Sequence, residues 1–225
     1  MRRLGPLCLV LTLVVPSLAF ALEGVIPLFG TVRGKTYTPP NGAYRITSPV
    51  LPELGGTISD NEHVVVFQDD FSVHVTIACF KQDATQRWEY STRGPRDYFR
   101  YFFASYVFPD LQRSYRAASV ADESFDPQYL DGAWFINTFL PGGTMFMHRL
   151  AEPAPDSPPP VAKRGNLLFV KYGHLYMVSI ELAERLTEGH TYRRTPEEEN
   201  QLIRERLESI INLMEFVRPP ADGAR

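Results

Sequence analysis

Residues 64–80, VVVFQDDFSVHVTIACF, alternate apolar and other side chains on both sides of an Asp-Asp pair, and that period of two constrains the chain more than any other stretch. Successive side chains of a strand point to opposite faces, so two alternating runs joined by a short polar link read as an antiparallel hairpin. With Asp69-Asp70 as a two-residue loop, Val64 opposes Val75 and Val66 opposes Val73. One face is then wholly apolar. The other carries His63, Val65, Phe67, His74 and Phe80, which predicts a sheet partly covered on both sides.

Further strands are expected on both sides of this hairpin. Residues 36–38 and 43–47 flank a Pro39-Pro40-Asn41-Gly42 turn, in which Asn-Gly supplies positive φ angles. Strand patterns return at residues 115–125, 132–140, 144–150, 166–171 and 174–182, the last two around Tyr172-Gly173. Residues 151–165 hold five prolines and no apolar period, and read as a solvated, polyproline-like loop.

Two segments change to helical spacing. Over residues 95–108, Tyr98, Phe99, Phe102, Phe103, Tyr106 and Val107 recur on one side, with Pro95 near the start and Pro109 as the stop. This aromatic stripe is expected to pack on the sheet. Thr195-Pro196-Glu197-Glu198 is a capping box. It opens a helix whose apolar stripe is Ile203, Leu207, Ile210, Met214 and Val217, ended by Pro219-Pro220. The pattern predicts one α+β domain, an antiparallel β-sheet flanked by helices, over residues 36–217. Residues 22–35 form a lead-in and 218–225 a disordered tail.

The N-terminus sets the expected compartment. Arg2-Arg3 precede an uncharged Leu/Val-rich run that ends in Ala19-Phe20-Ala21, the small-x-small form of a secretory cleavage site. Residues 1–21 therefore read as a signal peptide cleaved between Ala21 and Leu22, giving a periplasmic or secreted protein. The alternative is an uncleaved helix anchoring the chain to the inner membrane. Removing two arginines and no acid takes the net charge from −3 to about −5, which argues against nucleic acid as a partner. Only Cys79 then remains, so no internal disulfide holds the fold, and its alternating context reads as a buried small apolar residue.

Motifs for common chemistries are absent. Gly34-Lys35-Thr36 follows Gly30 with three intervening residues where a phosphate-binding loop has four, and Tyr-Thr-Pro-Pro stands where its helix would begin. Neither Gly-x-Ser-x-Gly nor His-Glu-x-x-His occurs. Asp122, Glu123, Asp126 and Asp131 miss the calcium-loop spacing. In the two-residue-loop register His63 and His74 share a face two positions apart, but two histidines fall short of a metal site, so no catalytic, cofactor or metal residue is assigned.

The order of elements, with YTPPNGAYRITSP at residues 37–49, GHLYMVSIEL at 173–182 and LESIINLMEF at 207–216, resembles the PsbP/Mog1/DcrB-like α/β/α sandwich superfamily. The first stretch matches a Tyr-x-x-Pro-x-Gly-x-Tyr-x-Ile-x-x-Pro pattern. The resemblance implies a mainly non-catalytic module, with relatives among assembly factors, a Ran-binding protein and bacterial envelope proteins. It brings no catalytic residues and no cofactor. The expected function is that of an exported protein-binding or complex-assembly module, with an envelope or membrane-complex protein as partner and peripheral membrane association as a further option. A small apolar-ligand or lipid carrier is one alternative, with Phe99, Phe102, Phe103 and Tyr106 lining a cavity. An enzyme of unrecognised type, using His63 or His74 with Asp69 or Asp70, is the other.

Overall fold

The large sheet grows outward from the predicted hairpin, but in a different register. In the computed structural model, which describes residues 27–146, 160–188 and 191–219, β5 (Val64–Gln68) and β6 (His74–Lys81) pair Val65 with Ile77 and Phe67 with Val75. The link is five residues long, because the buried Asp69 carboxylate accepts the amides of Phe71, Ser72 and Val73 at 2.8–2.9 Å. The Asp69 amide also donates to the Val73 carbonyl at 3.0 Å. The pairing is thus displaced by three residues, and an odd displacement exchanges the faces. Val65 and Phe67, expected on the mixed face, lie in the core with Val75, Ile77 and Cys79.

Seven antiparallel strands follow the order β4-β5-β6-β10-β9-β8-β7. The added members are β4 (Thr57–Asp60), β7 (Ser119–Asp126), β8 (Ala133–Pro141), β9 (Val161–Lys171) and β10 (His174–Glu181). A second antiparallel sheet has four short strands in the order β1-β2-β3-β11: β1 (Thr31–Arg33), β2 (Thr36–Thr38), β3 (Tyr44–Thr47) and β11 (Met214–Phe216). The lead-in expected before residue 36 therefore contributes a strand. Its entry is pinned by Asp60, whose carboxylate accepts the amides of Phe29 and Gly30 and the Tyr37 hydroxyl at 2.7–2.9 Å.

One face of the large sheet is covered by the small sheet and, after the short helix α4 (Ala183–Thr187), by α5 (Pro196–Asn212), whose Thr195 and Glu198 form the predicted capping box. Ile203, Leu207, Ile210 and Ile211 are buried there, each contributing about 1.5–3 kcal/mol of transfer free energy. The helix ends earlier than the stripe suggested. Past Asn212 the chain extends, Met214 pairs with Ile46 and Phe216 with Tyr44, so Met214 and Val217 lie outside it. The open edge of β3 offers backbone partners that a further helical turn would forgo.

The other face carries α1 (Ala84–Arg93), α2 (Pro95–Phe102) and α3 (Phe108–Ser114). Pro109 does not stop the helical run. Five residues of π-helix, Phe103–Val107, precede α3, and the Phe108 amide reaches back to the Phe103 carbonyl. A proline cannot donate to the carbonyl four residues earlier and its ring crowds that group, and a wider turn just upstream accommodates both. The helix α1 was not anticipated, although Asp83 and Gln86 form a complete capping box at its start.

Two expectations about the middle of the chain change. Residues 144–146 make a turn instead of opening a strand, because the buried Glu181 carboxylate takes the Thr144 hydroxyl and the Met145 amide. Residues 161–165, assigned to the proline-rich loop, belong to β9, which pairs Val161 with Pro141 and Lys163 with Phe139. The rest of that loop, residues 151–159, lies outside the described residues, as do the signal segment, the tail from 220 onward, His148 and His190. Among the described residues, no helix is long and apolar enough to cross a membrane.

Gly165 permits the close seating of α5 on β9. A methyl group there would stand 2.0 Å from Ile203 Cγ2. Gly165→Ala is expected to destabilise the protein by about 1–3 kcal/mol, as overpacking does, read as a lower denaturation midpoint at unchanged slope.

Candidate recognition surface

The helical layer turns its aromatic residues in two directions. Phe99 and Phe103 point inward and pack on Trp134, Ile136, Leu168 and Leu175 of the sheet, with the Phe103 and Trp134 rings 5.7 Å apart. From that core a series of rings runs outward at helical spacing. Tyr98 stacks near Phe102 at 6.4 Å, Phe102 meets Tyr106 at 5.4 Å, and Tyr106 lies edge-on to Tyr101 at 6.1 Å. Tyr106 is 56% exposed, at the end of a series whose first members are buried. A hydrogen bond with Tyr101 pushes the Tyr106 hydroxyl above its ordinary pKa.

The first helix adds the rest of the surface. Tyr90 faces the core, meeting Tyr98 at 5.3 Å, whereas Trp88 is 66% exposed. The Arg93 guanidinium lies 4.2 Å over the Tyr101 ring, a stack that fixes both planar groups, and Arg93 also pairs with Glu89 at 3.8 Å. Arg93 joined through Tyr101 to the exposed Tyr106, with an exposed Trp88 on the same helix as Arg93, brings together the residue types enriched in interface hot spots.

The residues considered for chemistry are dispersed. In the observed register His74 pairs with Gln68 at the loop end, and the His63 carbonyl accepts the Cys79 amide at the far end. Five residues of ladder separate the two histidines, about 17 Å, not two positions. His63 packs against Phe80 at 5.4 Å and His74 against Phe146 at 6.1 Å. Asp69 is spent on its loop. Cys79 is buried, as its context suggests, and burial pushes its thiol up, away from the reactive thiolate. Among the described residues, no group of three or more His, Cys, Asp or Glu side chains is placed to hold a metal ion.

The ligand cavity expected between helix and sheet is not lined by the four aromatics named for it. Phe99 and Phe103 fill that space, and Tyr106 faces out. A cavity of about 350 Å³ lies elsewhere, where the C-terminal half of α5 meets the start of β6 and the end of β10. Its walls include Val73, Val75, Ile180 and Leu213, with His74, Glu181 and Arg206 at the polar side. The charged groups there already have partners: Glu181 takes Arg164 at 3.4 Å, and Arg206 is bound through both terminal nitrogens to Glu184. Burial raises the Glu181 carboxyl above the ordinary range against the opposing pull of Thr144, Arg164 and Met145.

Solved structures similar to the chain include the Ran-binding protein Mog1p of Saccharomyces cerevisiae, at 9% identity over 84% of this chain and 97% of that one, with a TM-score of 0.47. The cyanobacterial PsbP of Synechocystis is similar at 12% identity over 86% of this chain and 100% of that one, with a TM-score of 0.46. A protein of Bacteroides thetaiotaomicron is similar at 10% identity over 83% of this chain and 50% of that one, with a TM-score of 0.38. No protein-family model matches the chain, and no curated protein matches it.

Proposed function

We propose that this chain is an exported, non-catalytic module that binds an envelope or membrane-complex protein through the aromatic surface of α1, α2 and the π-turn. The observation that carries the reading is the exposure of Tyr106 at the end of a ring series anchored in the core, together with that of Trp88 on α1. Two large aromatics left in water on one helical layer represent apolar area that a partner would remove from solvent. The export half of the reading rests on the residues around Ala21 and Leu22, and it places the working protein in the periplasm or outside the cell.

The test is cross-linking in intact cells that naturally make the protein, followed by capture through a C-terminal tag and mass spectrometry of bait and prey. The bait is expected to begin at Leu22 and to bring down an envelope protein. Trp88→Ala combined with Tyr106→Ala is expected to reduce capture at least about tenfold, while stability falls by no more than about 1–2 kcal/mol, from the ring contacts of Tyr106 with Phe102 and Tyr101. Undiminished capture by the double variant, or no envelope partner at all, would refute the assignment.

A second reading, carriage of a small apolar ligand, draws on the cavity of about 350 Å³ beside α5, which lies within the range of small-molecule sites. Native mass spectrometry of freshly isolated protein decides it. A co-purifying small molecule supports the carrier, and bare protein removes it.

A further inference from the structure

The charges on the helical layer differ from those of the rest of the chain. Residues 84–116, which run from α1 to the turn after α3, contain six arginines and three acids, a local charge of +3 on a chain whose net charge is −3. No lysine is among the six cations. Among the described residues, Arg96 and Arg116 make no ion pair, Arg87 donates to the Gln82 carbonyl at 2.8 Å, Arg100 and Arg113 pair with Glu123 and Asp110, and Arg93 keeps a long 3.8 Å contact with Glu89 while its own side chain is 43% exposed. Arg93 is also held flat over Tyr101, which presents its guanidinium edge in a fixed direction.

We infer that this layer receives an acidic protein segment, one that places carboxylates against the arginines and one or two apolar anchors against Trp88 and Tyr106. The inference rests on the protein-binding reading and specifies its partner. Arginine in place of lysine suits carboxylates, because the guanidinium fork matches a carboxylate with two parallel hydrogen bonds and also stacks on rings. The exposed apolar residues favour protein over bilayer. On α1 to α3 the large exposed hydrophobics are Trp88 and Tyr106, with no exposed leucine, isoleucine or phenylalanine among them. A helix that lies in a membrane interface buries a continuous apolar face, and one exposed Trp with one exposed Tyr does not make such a face.

Trp88 makes the test direct. The only other tryptophan, Trp134, is buried at 2% exposure, so a change in emission on binding reports on Trp88. The protein is titrated with a peptide of Glu-Glu-Leu-Phe repeats, with the same peptide carrying Lys for Glu, and with phosphatidylglycerol vesicles. The acidic peptide is expected to shift Trp88 emission to the blue saturably, with affinity falling about tenfold between about 0.05 and 0.5 M salt. Arg93→Gln combined with Arg96→Gln is expected to weaken that binding about three- to tenfold, with the melting temperature lowered by no more than about 4 °C through the lost Arg93–Tyr101 stack. The inference is overturned if the basic peptide binds as well, if only vesicles move the emission, or if no probe does.

The two readings fail separately. If cellular capture depends on Trp88 and Tyr106 but the captured segment is basic or uncharged, the acidic partner is wrong and protein binding at this face stands. If capture does not depend on those residues, the face itself is wrong.

Discussion

Tyr176→Ala is expected to destabilise the protein by about 3–5 kcal/mol, the range for removing a large aromatic from a packed core. Tyr176 is fully buried and stacks on Phe169 with centroids 4.9 Å apart and planes within 4°. It also meets Tyr44 of β3 and Phe216 of β11 edge-on at 5.9 and 5.3 Å, and its hydroxyl donates to the Ala43 carbonyl at 3.3 Å. One side chain thus joins both sheets, and its loss opens a void at their junction that rigid strands on either side cannot close. Tyr176→Phe keeps the rings and gives up one hydrogen bond, so it should cost about 0.5–1.5 kcal/mol. Chemical denaturation of both variants checks the ordering; equal, small losses would show that the junction tolerates the void.

Glu199→Ala should be comparably severe. Lys163 and Glu199 are both about 1% exposed, with Nζ 2.9 Å from Oε2, and Arg185 binds the other carboxylate oxygen. The alanine leaves the Lys163 ammonium buried without its carboxylate, which costs about 3–5 kcal/mol. Replacing both partners with apolar residues, Lys163→Met with Glu199→Leu, should restore most of that loss, since two well-packed apolar groups need no desolvation of charge. A double variant no better than Glu199→Ala would show that the pair contributes through packing.

The same pair gives an acid dependence. Burial acts to raise the Glu199 carboxyl, but hydrogen bonds and charges from Lys163 and Arg185 outweigh it and hold the carboxyl below its ordinary value. A carboxyl lowered on folding contributes stability above its unfolded pKa and loses that contribution as the pH falls through the folded value. Glu181 works in the opposite sense, because its raised carboxyl favours the fold when protonated. The informative quantity is therefore the difference between the native protein and Glu199→Gln. Melting curves taken down through the carboxylate range should converge as the acid limit is approached.

Much of this fold can be read from local signals. Asn41-Gly42 marks the turn between β2 and β3, Tyr172-Gly173 the one between β9 and β10, and Thr195 with Glu198 the start of α5. Features set by distant contacts are not so visible. The β5–β6 register depends on Asp69 folding three amides over itself, which two adjacent aspartates in a sequence do not announce. The end of α5 depends on the free edge of β3, more than 160 residues earlier in the chain. Pro109 reads as a helix stop until the π-turn before it is seen.

The recognition surface divides in the same way. Tyr106 and its ring neighbours were visible as an aromatic stripe, but helical spacing alone cannot separate the inward Phe99 and Phe103 from the outward Tyr106. Trp88 and Arg93 lie on α1, whose one local signal is the Asp83–Gln86 cap, of the same kind as the Thr195–Glu198 cap of α5. The helix buries none of its residues and so lacks the apolar stripe that would have drawn attention to that cap.

The claim that the helical layer binds protein is tested most directly by placing a photoactivatable benzoylphenylalanine at Tyr106, and separately at Thr57 on the exposed β4 edge, in the full chain expressed in its own cells. Illumination is expected to give a discrete protein adduct from position 106 and none from position 57. Adducts of equal yield from both positions, or an adduct from Thr57 alone, would contradict the account.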